Sequence, residues 1–342
     1  MRKRLHKILV TGGAGFIGSA FARLLIKRGQ TPFILDKLTY AGDLKRLGNQ
    51  GLSPKGTVPE FRFYKTDICD KSGVRNIFRT VRPDIVVHFA AETHVDRSIK
   101  DASPFIETNI KGTQVILDAC REFKAKKFIF ISTDEVYGEI PDGKFSERSP
   151  IRPNSPYAAS KAAADLLTQA YIRTYNIPAI IVRPCNNYGP WQYPEKLIPV
   201  AIASVLKGGK VPVYAKGENV REWLYVEDCA RGVLQAVQRG KTGQIYNLGS
   251  GIESRNIDTV RLILKNLGVG SDRFKFVKDR PGHDFRYSLD SSKARKVFGC
   301  RPRVSLSEGI KLTVAWHLGD APQGDTLGKL SVKNKRKLRE KQ

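Results

Sequence analysis

Through the first half of the chain, short runs of apolar and β-branched residues alternate with longer stretches whose apolar positions recur every three to four residues. The runs at 8–11, 33–36, 61–64, 85–89, 128–132 and 179–183 predict successive strands, and 16–28, 72–81 and 105–123 predict helices between them. Strands separated by helices return in the same direction through right-handed crossovers, so the pattern predicts an α/β fold built on a doubly wound parallel sheet. Near residue 184 this regularity gives way to Asn, Gly, Pro and aromatic residues, without a flexible linker. Helices expected at 195–206, 226–238, 257–267 and 305–317, with strands at 212–215 and 244–248, form a smaller lobe, some of whose segments return to the first domain. The expected division is 1–183 for the sheet domain, 184–320 for the interwoven second lobe and 321–342 for a basic tail.

A chain of 342 residues with 41% hydrophobic content can bury a large core without disulfides. The five cysteines, Cys69, Cys120, Cys185, Cys229 and Cys300, include no C-x-x-C pair, which predicts reduced thiols in a cytoplasmic protein and no metal site. No stretch approaches the roughly 18 apolar residues of a membrane span, and residues 1–7 run into the first strand rather than resembling a signal peptide, so no membrane partner is expected. A net charge of +26 favours anionic partners without choosing between nucleic acid and a small diphosphate. After Gly319 the periodicity fades into a lysine-rich run, which reads as a solvated, disordered tail or, alternatively, as a tether to an anionic polymer.

The candidate chemistry sits at strand ends. Gly12-Gly13-Ala14-Gly15-Phe16-Ile17-Gly18 follows the first strand and opens a helix, the context in which glycines let the backbone approach a pyrophosphate at a helix N-terminus. Asp36 ends the second strand, where an acid hydrogen-bonds adenosine ribose hydroxyls and repels a 2′-phosphate; it could instead cap a loop. Asp67 and Ile68 follow the third strand and either frame the adenine or form a plain turn. Tyr157 and Lys161 lie one helical turn apart, so an ammonium beside the phenol would favour the phenolate. The fifth strand runs into Ser132-Thr133-Asp134-Glu135, placing a hydroxyl and two acids at the edge where such sheets bind ligands. Elimination of water uses two such groups, one taking a proton and one giving one; the bland alternative is that they cap the following turn.

With the further strings at 89–98, 186–190 (Asn-Asn-Tyr-Gly-Pro), 194–199 (Pro-Glu-Lys-Leu-Ile-Pro), 221–228 and 279–284, the chain resembles the dTDP-glucose 4,6-dehydratases, a family of extended short-chain dehydrogenases/reductases. That resemblance implies a Rossmann-type fold, a homodimer, and a lyase that uses NAD to turn dTDP-glucose into a 4-keto-6-deoxy sugar. It implies that Tyr157 deprotonates the 4-hydroxyl while hydride leaves C4, with Lys161 lowering the tyrosine pKa and Thr133 bonding the oxygen. Glu135 then takes the C5 proton, Asp134 protonates the departing C6 hydroxyl, and the hydride returns to C6. It places Gly12, Gly15, Phe16, Ile17, Gly18, Asp36, Lys37, Asp67, Ile68, Phe89, Ala90, Ala91, Thr93, Thr108, Tyr157, Lys161 and Asn187 on the cofactor. It places Thr93, His94, Thr133, Asn186, Lys196, Leu197, Pro212, Tyr214, Arg221, Asn256, Arg280, His283 and Tyr287 on the nucleotide sugar. Thr93 stands where the family commonly has serine and keeps the hydroxyl. Other readings share some of these features: a related epimerase or decarboxylase, a UDP-glucose substrate, or a nucleic-acid-binding redox sensor suggested by the charge alone.

Overall fold

The computed structural model describes residues 6–48 and 61–319. The expected basic tail, 321–342, lies outside them. In chain order the first layer runs β1 (Ile8–Thr11), α1 (Phe16–Lys27), β2 (Phe33–Asp36), β3 (Arg62–Lys65), α2 (Lys71–Val81), β4 (Ile85–His88), α3 (Val95–Lys100), α4 (Ser103–Phe105), α5 (Thr113–Glu122), β5 (Lys127–Ile131), α6 (Pro156–Tyr175) and β6 (Ala179–Pro184). These are followed by β7 (Asn186–Tyr188), α7 (Leu197–Leu206), β8 (Val211–Tyr214), β9 (Val220–Tyr225), α8 (Val226–Arg239), β10 (Ile245–Leu248), β11 (Glu253–Arg255), α9 (Asn256–Leu267), β12 (Phe274–Val277), α10 (Ser292–Phe298) and α11 (Leu306–His317).

Seven strands form one sheet in the order β10-β6-β5-β4-β1-β2-β3, every adjacent pair parallel. The period of two explains both cores: in β5, Ile129 and Ile131 face a cluster with Phe21, Leu25 and Val233, while Phe128 and Phe130 face one with Phe78 and Ile116. Helices α1 and α8 pack together on the first face, and α2, α5 and α6 cover the other. The strand order reverses beside β1, so β1, β2 and β4 open a crevice at their carboxyl ends.

The second lobe has its own core of Ile202, Val213, Trp223, Ile263 and Ile310, enclosed by α7, α9 and α11, the three-stranded sheet β11-β9-β7 and the β8-β12 pair. Its chain does not stay apart: β10 adds to the large sheet beside β6, and α8 lies on α1.

One expected helix is not continuous. Within 105–123, residues Ile106–Gly112 form a π-helix before α5 begins. The wider winding turns Thr108 and Asn109 inward, and both are buried. Asn109 then pins the loop after β4, donating from Nδ2 to Glu92 O (3.0 Å) and Ser160 Oγ (2.8 Å) and accepting at Oδ1 from Glu92 N–H (2.8 Å).

Candidate active site

The glycine loop closes tightly because Gly12 and Gly18 lie against backbone. Gly12 has φ +67°, and a Cβ there would stand 2.5 Å from Ala90 N; at Gly18 it would stand 2.2 Å from Gly12 O. Helix α1 starts at Gly15 with no side-chain cap and no acid in its first turn, leaving its first amides available to an anion. Gly18→Ala is therefore expected to destabilise the fold by about 1–3 kcal/mol, since neither clashing atom is a movable side chain. Thermal melting reads that loss directly.

A single cavity runs from this loop to the carboxyl ends of β5 and β6. It is lined by Gly12, Gly15, Phe16, Ile17, Gly18, Asp36, Lys37, Ile68, Phe89, Ala90, Ala91, Thr93 and Thr108, and further on by Thr133, Asp134, Glu135, Tyr157, Lys161, Asn186, Asn187 and Lys196. Asp67 is absent from this lining. Its carboxylate pairs with Lys37 Nζ (3.1 Å) and accepts from Cys69 N–H (2.9 Å), which is the turn role. Asp36 does fasten a loop, accepting from Leu38 N–H (2.8 Å), yet its other oxygen accepts from Ala14 N–H (3.0 Å) and so holds the glycine turn at the cavity wall. Burial raises its pKa against those two hydrogen bonds.

At the far end three reacting side-chain types converge. Ser155 caps α6, its Oγ accepting from Ala158 N–H (3.1 Å), and Ser98 Oγ accepts from Tyr157 N–H (3.0 Å), which fixes the start of the helix. The buried Tyr157 lines the cavity together with Thr133, whose Oγ1 donates to Asp134 Oδ1 (3.1 Å). Asp134 is 1% exposed, and among the described residues its Oδ2 has no hydrogen-bond partner. Burial first, then the charge of Glu135, holds its pKa well above the ordinary value. Burial also raises Glu135, while Lys196, Arg280 and Arg221 pull the other way.

Lys161 departs from expectation. Its Nζ donates to Ile131 O (2.7 Å) and lies 4.5 Å from the centre of the Phe130 ring, and burial lowers its pKa to about 7. The Tyr157 pKa is raised, by burial and then by Glu135, rather than lowered by Lys161. The shared helical face holds, but in the chain by itself the lysine turns to the strand carbonyl instead of the phenol.

Of the residues expected on the nucleotide sugar from the second lobe, Asn186 and Lys196 line the cavity, and Lys196, Arg221 and Arg280 lie near enough to act on the charge of Glu135. Arg221 is buried, stacked 4.5 Å from the Tyr287 ring centre, and donates to Asp284 O (2.8 Å) and Val220 O (2.8 Å). Arg280 Nη1 donates to Asp96 (3.0 Å), which also accepts from Tyr214 OH (3.1 Å), while the buried Arg280 Nε has no hydrogen-bond partner among the described residues. His283 pairs with Asp279 (2.6 Å) and, desolvated and near Arg280, has its pKa lowered to about 4. His94 caps α3 through Nδ1, accepting from Arg97 N–H (3.2 Å). Leu197 starts α7, Asn256 starts α9, and Pro212 lies on β8 beside Tyr214. Among the described residues no group of three or more His, Cys, Asp or Glu could hold a metal, and no helix is long and apolar enough to cross a membrane.

The family profile described as GDP-mannose 4,6 dehydratase matches residues 9–313. A dTDP-glucose 4,6-dehydratase of Streptomyces niveus is 48% identical over 318 residues, covering 91% of this chain and 92% of that protein. This chain belongs to the dTDP-glucose 4,6-dehydratase family. The crystal structure of a dTDP-glucose 4,6-dehydratase from Streptomyces venezuelae, solved with NAD bound, is 45% identical, with a TM-score of 0.86, covering 91% of this chain and 96% of that one. The fold is shared more widely: UDP-glucose 4-epimerase of Thermus thermophilus, in complex with NAD, is 35% identical with a TM-score of 0.82, covering 91% and 98%. The sheet alone therefore does not separate dehydratases from epimerases.

Several cavity residues carry no sequence signal. Gln192 and Tyr193 line it, as do Thr39, Ala41 and Gly42 from the loop after β2. Only the tertiary approach of that loop to the 189–196 segment makes them neighbours.

Proposed function

We propose that this chain removes water from dTDP-glucose to give dTDP-4-keto-6-deoxyglucose, with NAD held along the glycine loop. The observation that carries this reading is the Asp134–Glu135 pair. Asp134 is buried with one oxygen lacking a hydrogen-bond partner among the described residues and its pKa raised by burial, Glu135 lies near three cations that oppose its own upward shift, and both line the cavity with Thr133 and Tyr157. The glycine contacts, the uncapped start of α1 and the cavity-lining Asp36 fit a dinucleotide without a 2′-phosphate. When bound, NAD supplies the transient acceptor for the hydrogen of C4. Residues 6–184 with β10 then serve as the cofactor domain, and 186–225 with 253–287 supply the nucleotide-sugar side.

In that arrangement Tyr157 takes the proton of the 4-hydroxyl and Thr133 positions the same oxygen. Lys161, near 7 in its pKa, can exchange protons at working pH. The 4-ketone acidifies C5, Glu135 accepts the C5 proton, and Asp134 donates to the C6 hydroxyl as it leaves. Arg221 and Arg280 provide guanidinium groups suited to a diphosphate, the unpaired Nε of Arg280 marking a donor still to be satisfied. Mass spectrometry of the purified protein with dTDP-glucose, UDP-glucose and GDP-mannose tests the assignment. Loss of one water from the dTDP sugar in preference to the others is expected; turnover without water loss would return the epimerase reading.

A pH dependence follows from the same pair. Glu135 is raised above 4.5, so water loss should rise with pH through a limb lying above that value, as the Glu135 carboxylate forms. A limb at or below 4.5 would remove Glu135 as the base.

The protein acts as a homodimer in the cytoplasm on this reading. Ile99, Ile106 and Leu166 stand 37%, 55% and 51% exposed on adjacent helical segments, an apolar surface suited to a second copy. Leu166→Glu is expected to shift sedimentation toward a monomer.

A further inference from the structure

Two segments with left-handed turns meet at the rim of the cavity. The loop after β2 turns at Leu38, with φ +57°, and carries Tyr40; the 189–196 segment turns at Trp191, with φ +69°, and carries Tyr193 and Glu195. The second segment is anchored in its own lobe, where Trp191 packs on Trp316 with ring centres 4.9 Å apart. The first is anchored to the sheet by the bond from Leu38 N–H to Asp36 Oδ1 (2.8 Å). Thr39, Ala41 and Gly42 from one side and Gln192, Tyr193 and Glu195 from the other line the same cavity.

What joins them is a compact set of side chains. The Tyr40 and Tyr193 rings meet edge to face with centres 5.2 Å apart. The Arg97 guanidinium lies 3.8 Å from the centre of the Tyr40 ring, and its Nη2 stands 3.4 Å from Glu195 Oε2. His94 Nε2 approaches the same oxygen at 3.6 Å. Tyr40 and Arg97 remain open to solvent, so the contact is one that can part without unfolding either lobe.

We propose that Tyr40, Arg97, Tyr193 and Glu195 form a clasp that retains NAD in the cavity; this rests on the NAD-dependent reading above. The chemistry gives retention a purpose. The hydrogen removed from C4 must come back to the same sugar at C6, so departure of the cofactor between the two steps would strand the ketone. The glycine loop binds the pyrophosphate but does not span the cleft. The clasp does, and it ties the cofactor-side loop after β2 to the lobe that carries Lys196, whose Nζ donates to Thr93 O (2.8 Å).

The test uses the full chain loaded with NAD, diluted into an excess of an alcohol dehydrogenase and ethanol that traps whatever NAD is released. Tyr40→Ala and Arg97→Ala are each expected to speed release by about 3–10-fold, the scale of an exposed cation–π or aromatic pair. Tyr40→Phe, which keeps the ring, should stay closer to the parent than Tyr40→Ala. In a cycle with Tyr193→Ala, the Tyr40/Tyr193 double variant should release NAD no faster than the product of the single effects divided by about 3. Release rates within twofold of the parent, fully multiplicative singles, or a Tyr40→Phe variant as fast as Tyr40→Ala would each overturn the clasp. A parent chain that takes up no NAD overturns the functional reading and the clasp together, whereas NAD bound and released at unchanged rates overturns the clasp alone.

Discussion

Glu135→Gln is expected to slow loss of water from dTDP-glucose by about 10²–10⁴-fold, because the amide fills the same space and cannot accept the C5 proton. The variant should not lose stability. A carboxyl whose pKa is raised in the folded chain costs stability once pH exceeds its unfolded value, since the unfolded chain ionises more readily; the amide removes that cost. Near neutral pH the melting temperature should equal or exceed that of the parent while turnover collapses. A variant that melts much earlier would make Glu135 a structural residue.

The second large effect lies away from the cavity. Arg183 on β6 and Asp165 on α6 form a fork of two hydrogen bonds, Nε to Oδ2 (2.9 Å) and Nη2 to Oδ1 (2.8 Å), with both side chains almost wholly buried. Arg183 Nη1 donates to Tyr137 OH (2.8 Å), and that hydroxyl donates to Asn247 Oδ1 (2.7 Å) on β10. The network ties the helix bearing Tyr157 and Lys161 to the 3-10 turn Asp134–Tyr137 bearing the acid pair. Asp165→Ala would leave a guanidinium buried and unpaired, and a loss of about 3–5 kcal/mol is expected in urea denaturation. Replacing Asp165 by Asn keeps an acceptor for Arg183 and should cost less. A loss below about 1 kcal/mol for Asp165→Ala would show that water reaches the site.

These two sites also show what the sequence could reveal. Glu135 was legible because a strand end, a hydroxyl and two acids stand together in a short string. The Asp165–Arg183 pair was not, because neither residue is unusual for its element and only the packing of α6 against β6 brings them together. The six strands of the first half were readable from their period, yet the π-helix at 106–112 was not: its residues keep a helical pattern, and the wider turn shows only through the inward placement of Thr108 and Asn109. Tyr157 and Lys161 were correctly placed on one helical face. Spacing could not foresee that the Ile131 carbonyl would compete for the ammonium. Arg221 and Arg280 illustrate the same limit, since a basic chain offers many guanidinium groups and only their placement near Glu135 marks these two. The clasp lay beyond reach for a simpler reason: Tyr40 and Glu195 come from different lobes.

The central claim is that one bound cofactor carries hydrogen from C4 to C6 of the same sugar while Asp134 and Glu135 expel water between the two transfers. The most direct measurement supplies dTDP-glucose deuterated at C4 and follows the label by NMR and mass spectrometry. The account predicts a 4-keto-6-deoxy product with deuterium at C6. Deuterium found in solvent or in free cofactor, or returned to C4 without loss of water, would contradict it.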